Sequence, residues 1–327
     1  MRKDLRYVFI VAMAIIGVLS GLVGCGNRQT PLTSISLPMG YVANVQFSPF
    51  YMAKERTYFE DAGFDVTFDY RWETDGIQLA AAGEIPFTVA SGDQVIQARS
   101  QGLPVVAIAS WYQKFPVAVI ALPDVPLNEP ADLEGLTVGI PETFGASYIG
   151  LLALLEAGGL TESDINLQAI GYTQLAALTN GTVDATVVYA NNEPVVLAQE
   201  GTTYNALYVS DYADLVSAAI VSSDAYIEEN PERAEAFVAA FLQGLEATLA
   251  DPDEAFEISK DYIEGLEENA DVQRAVLDAS IELWEAPEPG RFDSEAWAKA
   301  QAVMANAGMI ENTVPVDTLY SNAYLPE

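Results

Sequence analysis

The chain has 327 residues, 50% of them apolar, with 47 acidic side chains against 14 basic, a net charge of −33, no histidine and a single cysteine. That length predicts two domains of roughly 150 residues each around a sizeable core, and the acidity argues against nucleic acid as a partner, because a phosphate backbone is held by neutralising lysines and arginines. A Ser-His-Asp triad, a Cys-His pair and a His-bearing metal site are excluded, as are an internal disulfide and a thiolate zinc centre.

Arg2, Lys3 and Arg6 precede an apolar run from Tyr7 to Val23 that is short for a stop-transfer helix, so residues 1–24 read as a secretory signal. An uncleaved membrane anchor is the alternative. The run ends in Leu22-Val23-Gly24-Cys25, which resembles the lipobox of bacterial lipoproteins. That resemblance implies cleavage before Cys25 and a lipid, such as palmitate, on the new N-terminus. Residues 25–33 are small and polar and read as a tether to a body on the extracytoplasmic face of the cell membrane.

The first strand is predicted at Ile35 to Leu37, ending at Pro38 and Gly40, and Ser48-Pro49 reads as a helix entry with Ser48 as cap, running to Gly63. Val66, Phe68 and Tyr70 alternate as a strand, 71–76 reads as a polar loop, and a helix follows from Ile77 to Ala82. Ile85 to Ala90 is a short apolar strand, Ser91-Gly92-Asp93 a helix entry, Gln94 to Ser100 a helix, and Val105 to Ala109 a buried strand. This βαβα rhythm is that of a doubly wound parallel sheet.

The stretch 111–116 breaks the rhythm, and Val117 to Leu122 is a strand followed by Pro123, Pro126 and Pro130, which marks an interdomain crossing. A second set begins at Thr137 to Ile140, with a loop to Ser147 and a helix from Tyr148 to Ala157. Strands are predicted at Ile165 to Ile170 and Val183 to Tyr189, a short helix at Gln174 to Thr179, and a polar loop 190–194 ends in a proline at the next helix start. Tyr204 to Val209 and Ala218 to Val221 read as strands, one of them a return crossing. Pro231 to Ala250, Asp253 to Tyr262, Val272 to Trp284 and Ser294 to Ala307 are helical by period, with Phe237, Phe241, Leu245 and Leu249 on one stripe. Acids concentrated between Glu228 and Asp293 read as a solvated helical surface. The domain boundaries follow: residues 34–117 with about 218–327 form one lobe, and 118–217 the other.

Several strand ends carry an aromatic beside a neutral polar group: Tyr41 and Phe47 with Asn44, Trp72 with Thr74, Trp111 with Tyr112, Phe144 with Ser147 and Tyr148, and Tyr189 with Asn191 and Asn192. Ser91 stands at another strand end. In an open α/β sheet such loops face one crevice. Aromatic faces with a few amides and hydroxyls suit a flat, neutral, heteroaromatic ligand. Glu142 and Glu193 sit in the same loops, where a carboxylate accepts from ring N–H or ribityl hydroxyl groups or caps the next helix. No dinucleotide fingerprint, phosphate-loop lysine or nucleophile elbow is present, and neither a cofactor nor a metal is expected.

The segments GYVANVQFSPFYMAKERTYFEDAGFDV, TDGIQLAAAGEIPFTVASGDQVIQARSQGLPVV, LEGLTVGIPETFGASYIGL and TNGTVDATVVYANNEP together resemble the solute-binding proteins of ABC importers that are related to thiamine-pyrimidine synthase. The resemblance covers about Ser34 to Ala250. It implies an α/β, type II periplasmic-binding fold, with two Rossmann-like lobes and a ligand closed between them at the hinge. It also implies a permease and its ATPase as partners, and riboflavin or a thiamine pyrimidine precursor as ligand. The synthases of that family use an active-site histidine and a cysteine-rich iron motif, both missing here. The expected function is therefore capture of riboflavin, with the thiamine precursor as alternative and a His-independent secreted enzyme or an acidic surface-interaction module as more remote ones.

Overall fold

The computed structural model describes residues 31–326; the signal segment and Cys25 lie outside the described residues. The first strand β1 (Thr33–Gly40) pairs in parallel with β2 (Phe64–Trp72). Between them the chain turns on a 3-10 segment, Val45–Phe47, capped by the Asn44 side chain, which accepts from the Gln46 N–H at 3.0 Å. That turn runs straight into helix α1 (Ser48–Glu55), so the cap lies four residues before the expected Ser48, whose hydroxyl is buried without a partner. The expected helix to Gly63 is broken after Arg56: Thr57 is left-handed at φ +60°, and a short α2 (Tyr58–Asp61) follows.

Strand β2 continues through Trp72 and helix α3 (Glu73–Ala81) begins at once, where a polar loop was expected over 71–76. Strand β3 (Thr88–Ser91) leads directly into α4 (Gly92–Ser100), followed by β4 (Val105–Ser110). β3 and β4 do not pair with each other. Strand β10 (Ala218–Ser223) lies between them, antiparallel to both. The parallel pattern expected from the βα rhythm is broken here by a strand that arrives from over a hundred residues away, information that local periodicity does not carry.

The chain leaves this sheet through 111–116 and enters a five-stranded one, in which the order across the sheet is Asn166–Ala169, Thr137–Ile140, Ala185–Tyr189, Val117–Ala121, Asn205–Tyr208. Its strands are β5 (Val117–Ala121), β6 (Thr137–Ile140), β7 (Asn166–Ala169), β8 (Ala185–Tyr189) and β9 (Asn205–Tyr208). β6 pairs in parallel with β7 and β8, while β5 runs antiparallel to β8 and β9. Helices α5 (Gly145–Ala157), α6 (Gln174–Thr179) and α7 (Glu193–Gln199) each follow a strand and its loop. The chain then returns through 209–217 to β10.

After a short α8 (Asp224–Glu229), the helical tail comprises α9 (Pro231–Ala250), α10 (Pro252–Ser259), α11 (Ala270–Trp284) and α12 (Ser294–Asn306). The apolar stripe of α9 buries Phe237, Phe241 and Leu245 completely, whereas Leu249 is half-buried. Phe237 stacks on Phe87 at 4.1 Å and on Phe59 at 5.0 Å, and Phe241 lies 4.6 Å from Phe50. Burial of each such ring contributes roughly 1.5–3 kcal/mol. Gly244 brings α9 against α1, since a Cβ there would stand 2.2 Å from the Pro49 carbonyl. α12 packs on both α4 and α5, with Lys299 bonded to Glu156 at 3.1 Å. Beyond it, Tyr320 stacks on the fully buried Trp297 at 5.7 Å, and the tail bridges β4 at Ala107. No described helix is long and apolar enough to cross a membrane.

Candidate ligand cavity

A cavity of about 170 Å³ opens where the loops after β1, β2 and β4 meet those after β6, β7 and β8. That is on the order of ten times the space one water needs, enough for part or all of a small organic ligand. Tyr41 from the β1 loop meets Tyr172 from the β7 loop edge to face, with ring centroids 5.6 Å apart. This contact joins the two sides of the cavity.

On one wall, Glu73 stands at the first residue of α3 and accepts from the Ser91 hydroxyl at 2.6 Å. Gly40 makes room for it: this residue sits at φ +79°, and a Cβ there would lie 2.6 Å from Glu73 Cγ. Burial pushes the Glu73 carboxyl up to about 7, the neighbouring Asp93 carboxylate adds to the rise, and the bond from Ser91 opposes it. Asp93 is itself buried and shifted upward by that burial, and it accepts from Gln94 Nε2 at 2.9 Å. Opposite, Glu193 opens α7 and accepts from the Tyr189 N–H at 3.1 Å. Burial raises its carboxyl to about 7 against the pull of those backbone bonds. Burial, with the Glu193 charge second, also raises the Tyr41 phenol to about 12.

The aromatic floor is continuous with the core. Trp111 stacks on Phe47 at 5.1 Å, meets Phe50 at right angles at 5.4 Å, and lies 4.9 Å from Tyr112 and 6.1 Å from Trp284. Trp111 and Tyr112 are almost wholly buried, while Trp72 and Phe144 are about half exposed at 52% and 47%. Thus Trp111 and Tyr112 are held by their protein neighbours, whereas Trp72 and Phe144 present exposed ring faces.

The structure brings to the cavity wall Tyr41, Phe47, Trp72, Trp111, Tyr112, Phe144, Ser147, Tyr189, Asn192 and Glu193, together with Glu142. It does not bring Asn44, Ser91, Tyr148 or Asn191 to that wall. Asn44 is spent on capping the 3-10 turn, and Ser91 donates to Glu73 from behind. Tyr148, next to Ser147 in the first turn of α5, instead donates to Glu162 at 2.5 Å. Asn191 is buried, bonded to Tyr112 and Ser280. The wall also holds Gln46, Glu73, Gln94, Tyr172 and Gln174, which the pairing of aromatics with neutral polar groups did not select. For Glu73 the signal was present, since it lies between Trp72 and Thr74 in a strand-end segment already singled out. Among the described residues no lysine or arginine lines the cavity: Arg71 turns to Asp69. Among the described residues no group of side chains is arranged to hold a metal ion.

A cleft between a mixed five-stranded sheet and a sheet entered by a returning antiparallel strand is the architecture of the periplasmic solute-binding proteins. The solved structure of the periplasmic aliphatic sulphonate binding protein SsuA from Escherichia coli superposes with a TM-score of 0.72 over 90% of this chain and 99% of that one, at 14% identity. The chain belongs to the NMT1/THI5 like family, which matches residues 44–255. It is 39% identical to the riboflavin-binding protein RibY of Chloroflexus aurantiacus over 92% of this chain and 88% of the relative. It is 30% identical to a formylaminopyrimidine-binding protein of Halalkalibacterium halodurans over 96% and 98% of the two chains. Both relatives are binding proteins by name, and a solute-binding role follows for this chain.

Proposed function

We propose that this chain is the lipid-anchored, extracytoplasmic binding protein of an ABC importer, that its ligand is riboflavin, and that it hands the vitamin to a permease driven by an ATPase. The observation that carries the reading is the cavity wall itself: aromatic faces, amides and carboxylates, with no cation among the described residues. An anion such as a sulfonate would meet Glu73 and Glu193 without any compensating positive charge. A neutral isoalloxazine offers faces to Trp72 and Phe144 and ring N–H and ribityl hydroxyl groups to the carboxylates. RibY, at 39% identity, supports the same choice.

In this reading residues 34–117 with 218–327 form one lobe, 118–217 form the other, and contacts to both lobes favour the closed state by their differential affinity. Cys25 carries the lipid. The mechanism is closure without chemistry, and the histidine and cysteine-rich motif of the family's synthases have no counterpart in the sequence. The carboxylates also favour a second reading, an aminopyrimidine, whose amino group and ring nitrogen complement a carboxyl. The test is the absorption spectrum and mass of the compound released on denaturing the purified chain. An unaltered flavin supports the proposal. A pyrimidine moves the ligand to the second reading, and a chemically converted compound refutes the binding role.

A further inference from the structure

A chain of buried hydrogen bonds runs from helix α11 to the cavity and ends on Gln46. The Ser280 hydroxyl donates to the Val276 carbonyl one turn back at 2.6 Å. With its one proton engaged by that carbonyl, Ser280 Oγ accepts from Asn191 Nδ2 at 2.7 Å. The second Asn191 amide proton reaches the Tyr112 phenol oxygen at 3.3 Å, and the Tyr112 hydroxyl in turn donates to Gln46 Oε1 at 2.9 Å. Both Asn191 and Ser280 are fully buried, and neither lines the cavity.

The opposite polarity is disfavoured by counting. With the Asn191 amide as described, one buried acceptor, its Oδ1, lacks a partner. With the amide turned over, two N–H donors would be buried without partners, and orphaned donors cost more than an under-used carbonyl. Gln46 Oε1 is therefore committed to Tyr112. Among the described residues its Nε2 has no acceptor, and it is not sealed from the cavity that Gln46 lines.

We propose that Asn191 and Ser280 are positioning residues that fix Gln46 as a hydrogen-bond donor to the ligand, so that the cavity selects a ring edge carrying a carbonyl or unprotonated ring nitrogen. Together with Glu73 and Glu193, which take donors when ionised, this requires acceptor and donor groups on one flat ligand. An imide edge, carbonyl beside N–H, meets both demands. The inference rests on the cavity being the ligand site and deepens the reading given above.

The test uses the full chain in detergent, with 15N in its asparagine and glutamine side chains and no ligand added. The assigned polarity predicts that the Asn191 side-chain protons exchange with deuterium at least about tenfold more slowly than those of Gln46; the reverse order overturns it. Asn191→Asp presents only acceptors to Tyr112 and Ser280, which turns the relay round. It is expected to protect the Gln46 amide and to weaken riboflavin binding by about tenfold or more. Should that variant fail to fold, Gln46→Glu makes the same exchange of donor for acceptor at constant shape, with the same expected loss. Unchanged affinity in a folded Gln46→Glu protein refutes the donor role. A wild-type chain that binds neither riboflavin nor 4-amino-5-hydroxymethyl-2-methylpyrimidine refutes the ligand reading, while the exchange pattern still decides the relay.

Discussion

Replacing Glu73 by Gln isolates the cost of holding a carboxylate in the cavity wall. In the folded chain this group titrates at about 7 against an ordinary 4.5, chiefly because burial penalises its charge. At about 1.4 kcal/mol per pH unit the difference corresponds to at most about 3.5 kcal/mol. Glu73 is half-buried in the cavity wall, so solvent screening reduces this to roughly 1–2 kcal/mol. A raised folded value means that the native state holds the proton more tightly than the unfolded chain. Stability from this group is thus full below about pH 4.5, falls as the pH rises toward 7, and is level above it. Urea denaturation of ligand-free protein at intervals from pH 4.5 to 8 reads the slope directly. The wild type is expected to lose stability across that window, and Glu73→Gln to lose roughly 1–2 kcal/mol less. Parallel profiles for the two proteins would refute the argument that burial governs this carboxylate.

Other expectations follow from the same contacts. Glu193→Gln should flatten the profile over the same range, because Glu193 also rises to about 7 through burial; a steeper profile would contradict this. Gly40→Ala forces a left-handed alanine whose Cβ meets Glu73, and calorimetry should show a loss of about 1–3 kcal/mol. Trp297→Ala removes a fully buried indole stacked on Tyr320 and should cost about 3–5 kcal/mol in urea denaturation; a loss below about 1 kcal/mol would show that the tail adds little. Trp72→Ala, at an exposed position, should leave stability within about 0.5 kcal/mol. In calorimetric titration it should weaken ligand binding by roughly 1–3 kcal/mol, and unchanged affinity removes Trp72 from the contact set.

Much of the fold was legible in the sequence because short apolar runs bounded by Gly and Pro mark buried strands, and the α9 stripe declares its own buried face. What sequence reading missed was non-local. Nothing in the run from Ala218 announces that it slots between β3 and β4, and nothing in the C-terminal segment announces Tyr320 beside Ala107. At the cavity, pairing aromatics with neutral polar groups picked out most of the aromatic side chains that line it, and of its acids Glu142 and Glu193 but not Glu73. Glu73 reads as one acid among 47 until the fold buries it beside Asp93. Conversely Asn191 and Tyr148 sit in the right loops but turn to partners, Ser280 and Glu162, that only the folded chain supplies. The stacking role expected of Trp111 is half structural, since Phe47, Phe50 and Trp284 already hold its ring.

The central claim is tested most directly by titrating the purified chain with riboflavin while following intrinsic tryptophan fluorescence, with the pyrimidine as a parallel ligand. Trp72 and Trp111 both line the cavity, so the account predicts saturable quenching by riboflavin at micromolar concentration or below, about −8 kcal/mol or stronger. A response to the pyrimidine alone would contradict the flavin assignment, and silence to both would contradict the proposed class of ligand.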